Sequence, residues 1–234
     1  MNNEYNFEKL SDSVKVCASS DHTFGTDAFL LTEFSGFKRN DIICDLGTGC
    51  GIIPLAISAK NSDIPIFAVD IQQKAIEQLE IGIRESNLKN ITPILADLKD
   101  LPPEMPFQKF SLVICNPPYK ASKTGFESLS KAQRIARHEI MCNINDICFT
   151  ANKLLRFGGK LCICNRPERL ADVISAMKQN HIEPKKLQFI AKDNNSAPWL
   201  FLIEGKKGAK PFLQVLPNRI IKSGTLFFNI PKDF

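Results

Sequence analysis

The stretch Ile42-Ile43-Cys44-Asp45-Leu46-Gly47-Thr48-Gly49-Cys50-Gly51 decides the fold of this chain. Residues 42–46 are apolar apart from Asp45 and have the length of a buried strand. The three glycines allow a tight turn in which the backbone can closely approach a ligand. Residues 52–60 then predict a helix, with Pro54 in the first turn, where proline is tolerated. We therefore expect a strand, a glycine turn and a helix, the opening unit of a nucleotide-binding α/β sheet.

The same alternation of short apolar runs and amphipathic runs continues along the chain. Further strands are predicted at 64–69, 91–95, 110–115 and 160–164, and helices at 72–87, 129–138, 144–155 and 168–179. Gly158-Gly159 is interpreted as a turn, and residues 186–191 with 199–204 as a closing antiparallel hairpin. The prediction is an α/β fold with about seven strands, mostly parallel. We expect an N-terminal extension (1–35), one main domain (36–205) and a basic C-terminal extension (206–234).

The composition of the 234 residues is that of a globular protein, with 44% hydrophobic and 24% charged residues. No apolar run reaches the ~18 to 20 residues that span a bilayer, and the N-terminus lacks the pattern of a signal peptide. The eight cysteines form no Cys-x-x-Cys pair and mostly lie in apolar segments. We expect a cytoplasmic protein with reduced, buried cysteines, no membrane association and no metal site.

Polar residues follow several predicted strands, and in a doubly wound sheet such strand ends converge on one ligand site. Asp70 follows the second strand, 19 residues after Gly51, where a carboxylate can accept hydrogen bonds from both hydroxyls of an adenosine ribose. The alternative is that Asp70 is a helix N-cap. The spacing Gly-x-Gly-x-Gly differs from the Gly-x-Gly-x-x-Gly of dinucleotide sites. It favours S-adenosylmethionine over a nicotinamide cofactor.

The tetrapeptide Asn116-Pro117-Pro118-Tyr119 directly follows the strand at 110–115. An adenine amino group or a carboxamide is a poor nucleophile, because its nitrogen lone pair is delocalised. The Asn116 side-chain oxygen and the Pro117 carbonyl can accept both N–H bonds and favour a tetrahedral nitrogen, while Tyr119 stacks on a flat target. This arrangement needs no general base. A plain Pro-Pro turn is the alternative interpretation.

On these motifs the chain resembles class I S-adenosylmethionine-dependent amino-methyltransferases, and more narrowly the tRNA1(Val) adenine-37 N6-methyltransferase family. The narrower resemblance rests on residues 24–31, 45–54 and 116–119, and continues through 136–139, 158–160, 166–170 and 204–208. It implies a Rossmann-like class I methyltransferase fold with S-adenosylmethionine as cofactor. The residue roles that it implies are as follows: Asp45, Gly47, Gly49 and Gly51 line the methionine part, Asp70 binds the ribose, Asp97 binds the adenine amino group, Ile71 and Leu98 sandwich the adenine, and Thr26 belongs to an N-terminal lid.

The charge of the chain is divided unevenly between its halves. Residues 1–119 carry 10 Lys and Arg against 16 Asp and Glu, a net charge of −6, whereas residues 120–234 carry 20 against 9, a net charge of +11. A basic cluster follows the tetrapeptide, where a phosphate backbone would pass on its way to the pocket. We expect the substrate to be bound by Pro118, Tyr119, Lys120, Lys123, Arg134 and Arg137. A merely solvated helix is the alternative.

Two positions near the tetrapeptide depart from the simplest interpretation. Lys120 stands where the family pattern has a second aromatic residue, which affects the second wall of the target pocket. Arg137-His138-Glu139 lies on a predicted amphipathic helix, and we interpret it as a structural or phosphate-contacting segment rather than a catalytic base.

The resemblance implies methylation of A37 in the anticodon loop of tRNA1(Val), with the catalytic residues Asn116, Pro117 and Tyr119. A protein glutamine N5-methyltransferase of the release-factor type is an alternative, disfavoured by the short segment before the first cofactor strand and by the basic second half. A non-catalytic RNA-binding module is disfavoured by the intact glycine turn and Asn116. Adenines of other RNA or of DNA remain open.

Overall fold

The structure is a computed structural model that describes residues 6–18, 24–118 and 143–221. Its strands are β1 (Asn6–Lys9), β2 (Lys15–Ala18), β3 (Ile43–Leu46), β4 (Ile66–Asp70), β5 (Ile91–Leu95), β6 (Phe110–Cys115), β7 (Leu155–Asn165), β8 (Ile182–Ala191), β9 (Leu200–Lys207), β10 (Gln214–Val215) and β11 (Arg219–Ile220). Its helices are α1 (Thr26–Ser35), α2 (Ile52–Lys60), α3 (Gln73–Glu85), α4 (Ile144–Leu154) and α5 (Leu170–Gln179), with a 3-10 turn at Pro167–Arg169. Within these ranges, no helix is long and apolar enough to cross a bilayer.

A nine-stranded sheet forms the centre of the molecule, in the order β10-β8-β9-β7-β6-β3-β4-β5, with β11 also paired to β8. Strands β3 to β7 are parallel to one another, and β9 runs antiparallel to both β7 and β8. The predicted α/β fold with seven mostly parallel strands and an antiparallel closing hairpin is confirmed. Because β3 lies between β4 and β6, the strand order reverses there, and the carboxyl ends of these strands form the crevice where such sheets bind ligands.

The sequence after residue 205 adds more sheet than the pattern predicts. Strand β9 continues to Lys207, and the two-residue strands β10 and β11 pair in parallel with β8. They widen the seven-stranded core to nine strands. Each is too short to leave an alternating hydrophobic pattern in the sequence.

The predicted turn at Gly158-Gly159 is wrong, because both glycines lie inside β7. The pairing of β6 with β7 shifts register between Phe110 and Leu112, which places a bulge at this point. A Cβ atom on Gly159 would lie 2.9 Å from the carbonyl oxygen of Phe110. The glycine is therefore required by the close approach of the neighbouring strand and not by a chain reversal.

Two hydrophobic layers enclose the sheet. Helices α1, α2 and α3 cover one face, here called the first face, with Leu31, Leu55 and Leu79 buried against it. Helices α4 and α5 cover the opposite face. Side chains alternate along β6, so that Leu112 and Ile114 point to the first face.

A lysine on β9 closes the last turn of α4. The Nζ atom of Lys207 donates hydrogen bonds to the carbonyl oxygens of Asn152, at 2.6 Å, and Leu155, at 2.8 Å. Partial burial of this ammonium lowers its pKa. These carbonyls belong to the helix end, where backbone acceptors lack partners within the helix.

We expect Lys207→Met to lower the free energy of unfolding by about 1 to 2 kcal/mol, because two carbonyls lose a charged donor. Urea denaturation followed by circular dichroism measures the change. The matched control is Lys206→Met, which alters the exposed neighbouring residue. Equal stability of the two variants would show that the bonds from Lys207 do not support the helix end.

Candidate active site

A pocket of about 300 Å³ opens at the carboxyl ends of β3, β4, β5 and β6. The expected site residues are therefore brought together from four strand ends and the loops that follow them. The lining includes nine of them: Gly47, Gly49, Asp70, Ile71, Asp97, Leu98, Asn116, Pro117 and Pro118.

Three expected cofactor residues do not line this pocket. Thr26 is the first residue of α1, and Asp45 is buried behind the glycine turn. Gly51 is buried, and a Cβ atom there would collide with the Leu79 side chain, so its contact is with α3. Five expected substrate residues lie outside the described residues: Tyr119, Lys120, Lys123, Arg134 and Arg137. His138 and Glu139 also lie outside them.

The glycine turn is held against β4. The amides of Gly47 and Thr48 both donate to the carbonyl of Val69, each at 2.9 Å. Gly47 has φ +73° and Gly49 has φ +56°, a backbone region that other residues rarely adopt. A Cβ atom at either position would meet no described atom within 4 Å. The turn therefore leaves open space in front of its backbone, as a closely bound cofactor requires.

Asp70 links the glycine turn to the loop before α3. Its Oδ2 atom accepts a hydrogen bond from the Gly49 amide at 2.8 Å, and Oδ1 accepts one from the Gln72 amide at 2.9 Å. The N-cap of α3 is Gln72, so the interpretation of Asp70 as the cap is wrong. Asp70 lines the pocket, and a carboxylate oxygen can accept more than one hydrogen bond, so this carboxylate suits a ligand with hydroxyl donors.

Asp45 is a buried carboxyl next to the glycine turn. Thr48 Oγ1 donates to its Oδ2 atom at 2.7 Å, whereas its Oδ1 atom has no hydrogen-bond partner in the described part of the chain. Burial raises the pKa of Asp45 to about 7, opposed by the hydrogen bond from Thr48 and assisted by the negative charge of Asp70. A buried acceptor without a partner is costly, and a positive charge bound at the turn would stabilise the ionised carboxylate electrostatically. The residues present thus fit a ligand with a positive charge beside the glycines.

This carboxyl predicts a pH dependence of stability. An unfolded aspartate titrates near pKa 3.9, so between about pH 4 and pH 7 the folded protein binds more protons than the unfolded chain. Stability from this group is therefore lost as the pH rises toward 7. Asp45→Asn still accepts a hydrogen bond from Thr48 but has no carboxyl to titrate. We expect its free energy of unfolding, relative to that of wild type, to be roughly 2 to 3 kcal/mol higher at pH 8 than at pH 5. Urea unfolding of both proteins at both pH values, without cofactor, measures this change. If the difference in free energy of unfolding between the two proteins were the same at both pH values, the pKa of Asp45 would not be raised by folding.

Two apolar side chains form walls of the pocket at the ends of β4 and β5. Ile71 is 47% exposed, an unusual position for isoleucine, and Leu98 lines the same space. The Thr150 hydroxyl donates to the Leu98 carbonyl at 2.9 Å, and the Lys99 amide donates to Asp97 Oδ1 at 2.9 Å, so this loop is held from two sides. An apolar slot flanked by a carboxylate suits a flat heterocycle with an amino group.

Asn116 directly follows β6 and lines the pocket. The Cys164 thiol on β7 donates to Asn116 Oδ1, with the two atoms 3.0 Å apart, and Cys164 is completely buried. The contact favours the amide orientation in which Oδ1 faces the thiol. Cys164 was not identified from the sequence, since its strand could be placed beside β6 only once the sheet order was known.

Solved structures of methyltransferases share the fold of this chain. A predicted O-methyltransferase from Agrobacterium tumefaciens superposes with a TM-score of 0.67 over 85% of this chain and 89% of that protein, at 21% identity. A geranyl diphosphate methyltransferase in complex with S-adenosylmethionine superposes with a TM-score of 0.57 over 77% of this chain and 84% of that protein, at 12% identity. The fold and the glycine-lined pocket define a class I S-adenosylmethionine-dependent methyltransferase, and S-adenosylmethionine is its cofactor.

Within that class, residues 17–188 match the family described as methyltransferase small domain, and the chain belongs to this family. A tRNA1(Val) (adenine(37)-N6)-methyltransferase of Parabacteroides distasonis is 26% identical over 86% of this chain and 82% of its own length. A release factor glutamine methyltransferase of Buchnera aphidicola is 30% identical over 67% of this chain. The match spans 58% of the Buchnera enzyme. The chain is therefore similar to enzymes named for two different nitrogen acceptors.

Proposed function

We propose that this protein methylates the N6 atom of an adenine in tRNA, at A37 of the anticodon loop. The observation that carries the proposal is the placement of Asn116, Pro117 and Pro118 on the wall of the pocket that holds the glycine turn and Asp70. This position puts hydrogen-bond acceptors for an amino group beside the site of the methyl donor. An unpaired loop base can be turned out of its stack into such a pocket.

The residues of the chain act by binding and orienting the acceptor nitrogen. Asn116 Oδ1 and the Pro117 carbonyl accept the two N–H bonds, and this geometry directs the nitrogen lone pair toward the cofactor. Proline fixes the backbone at that carbonyl. Asp70, Ile71, Asp97 and Leu98 would hold the adenosine part of S-adenosylmethionine, and the glycine turn would hold its methionine part. The bound cofactor would supply an electrophilic methyl group, leaving S-adenosylhomocysteine, while the acceptor nitrogen loses a proton. Tyr119 stacks on the target base in this proposal.

Two further observations favour RNA as the substrate. The relative with the fullest alignment given above is named for adenine 37 of tRNA1(Val), and residues 120–234 carry a net charge of +11. Positive charge binds the phosphate backbone irrespective of sequence. Lys120, Lys123, Arg134 and Arg137 are the proposed phosphate contacts, and tRNA modification would place the enzyme in the cytoplasm.

Glutamine N5-methylation of a release factor is the second candidate, because the Buchnera relative carries that name and a carboxamide nitrogen needs the same two acceptors. The site by itself does not distinguish the two nitrogens. The basic second half of the chain favours a polyanion over a protein loop.

One experiment separates the two candidates. The purified protein is incubated with labelled S-adenosylmethionine and either unmodified tRNA1(Val), the same tRNA with guanosine at position 37, or a release factor. Nucleoside mass spectrometry should give N6-methyladenosine with the first RNA and none with the second. Label on the release factor without RNA product would overturn the proposal and leave the fold and cofactor unchanged. Methylation of both RNAs would retain the reaction and overturn position 37.

A further inference from the structure

Arg166 and Trp199 come together at the carboxyl edge of the sheet, beyond the end of β7. Cys115 on β6 pairs with Ile163 on β7, and Arg166 follows β7 by one residue, about 7 Å beyond Cys164 along the chain. Asn165 pairs with Phe201 on β9, so Trp199, just before β9, extends past the same edge. Both residues therefore lie one or two strands from Asn116.

The two side chains also lie on the same side of the sheet as Asn116. Alternation places Leu112, Ile114 and then Asn116 toward the first face, and Cys164 reaches Asn116 from that face. Trp199 packs against the hydrophobic cluster of the first face. Arg166 and Trp199 are thus on the Asn116 side of the edge.

Arg166 and Trp199 form a paired surface. The guanidinium Nη1 atom donates to the Trp199 carbonyl at 2.9 Å, and the guanidinium carbon lies 5.8 Å from the centroid of the indole ring. The Trp199 amide donates to the Ile190 carbonyl at 2.9 Å, which fixes the backbone of Trp199 to β8. Arg166 is exposed and Trp199 partly exposed. The planar cation thus lies over the indole ring, and Arg166 is the more exposed member of the pair.

The position of the cofactor pocket limits where a polymeric substrate can bind. The pocket extends over the ends of β3, β4 and β5 and stops at Asn116–Pro118 and Ile147. A chain that delivers one base to Asn116 can continue over the ends of β6, β7 and β9, where Arg166 and Trp199 lie. Unstacked RNA bases bind on aromatic rings and on guanidinium planes.

We propose that Arg166 and Trp199 form a stacking platform for the nucleotide next to the methylated adenosine. The proposal rests on RNA being the substrate, and it adds a binding site for a second base outside the catalytic pocket. When the target base turns out of the loop, the neighbouring base loses its stacking partner. Stacking on the platform replaces that interaction. It thereby favours single-stranded loops over paired RNA.

The platform contains the single tryptophan of the chain, so intrinsic fluorescence reports directly on it. A labelled anticodon stem-loop is titrated in the presence of S-adenosylhomocysteine, with binding measured by anisotropy and Trp199 emission measured on unlabelled RNA. We expect quenching that follows the binding curve. Saturating binding without any change in emission would overturn the platform and leave the proposed function intact. Failure of any RNA to bind would overturn both.

A matched pair of variants tests the contribution of the guanidinium. Arg166→Gln should weaken stem-loop binding about 5- to 10-fold, within the range for loss of one stacked base. Arg169→Gln, three residues along and paired with Asp172 at 2.9 Å, is the control and should bind as wild type does. Calorimetry should show unchanged cofactor binding in both variants.

An abasic substitution distinguishes stacking from general electrostatics. Stem-loops are prepared with an abasic site on the 5′ or the 3′ side of the target adenosine. The RNA that lacks the base occupying the platform should bind to wild type about 5- to 10-fold more weakly than the intact stem-loop. Arg166→Gln should bind this abasic RNA with little further loss of affinity. The opposing result is that Arg166→Gln weakens the binding of both abasic RNAs by the same factor as it weakens the binding of intact RNA. In that case Arg166 contacts phosphate only, and the stacking proposal is wrong.

Discussion

Substitution of Asn116 by alanine is expected to reduce the turnover number about 100-fold or more while leaving cofactor affinity nearly unchanged. Asn116 lines the pocket, and its Oδ1 atom accepts a hydrogen bond from the Cys164 thiol at 3.0 Å. Its proposed hydrogen bond to the acceptor nitrogen strengthens as that nitrogen becomes tetrahedral. Removing it therefore raises the barrier to methyl transfer more than it weakens the bound ground state.

The test compares single-turnover methylation rates of wild type, Asn116→Ala and Asn116→Asp on the same RNA. Aspartate keeps an acceptor oxygen at the same position, so we expect it to retain more activity than alanine. Calorimetric titration with S-adenosylmethionine checks that the pocket is intact. A wild-type rate in the alanine variant would contradict the proposed role of Asn116, whereas a parallel loss of cofactor affinity would indicate a damaged pocket instead.

The parts of the site that depend on local spacing could be predicted from the sequence. The glycines and Asp70 are separated by one strand–helix–strand unit, so a short pattern predicts the turn and the carboxylate at its edge. The hydrogen bond from the Gly49 amide to Asp70 agrees with that expectation. The tetrapeptide at the end of β6 was placed in the same way, because parallel strands end at one edge.

Contacts between distant segments could not be predicted in this way. Cys164 and Asn116 are 48 residues apart, and Arg166 and Trp199 are 33 residues apart. Each pair meets only because β7 lies between β6 and β9, an order that hydrophobic periodicity does not encode. Gly158-Gly159 predicts a turn but lies in a bulged strand. Local composition cannot distinguish the two, because glycines are typical of both bulges and turns.

Substitution of Asp70 by alanine is expected to weaken S-adenosylmethionine binding by about 1 to 3 kcal/mol, or roughly 5- to 150-fold. Two effects act in the same direction. The proposed hydrogen bonds to the ribose hydroxyls are lost, and the amides of Gly49 and Gln72 lose the carboxylate that now fixes the turn. Asp63→Ala is the matched control, because Asp63 precedes the same strand at the opposite edge and its side chain is 71% exposed.

A cofactor analogue separates the two effects of Asp70. Calorimetry is repeated with S-adenosylhomocysteine and with its 2′-deoxy form on wild type and Asp70→Ala. If the carboxylate binds the ribose directly, wild type should prefer the hydroxylated ligand and the variant should lose most of that preference, because the coupling between the two changes is removed. If Asp70 only supports the glycine turn, the variant should weaken both ligands equally and keep the preference. Equal affinity of wild type for both ligands would place the 2′-hydroxyl outside the reach of Asp70 and limit the carboxylate to the turn.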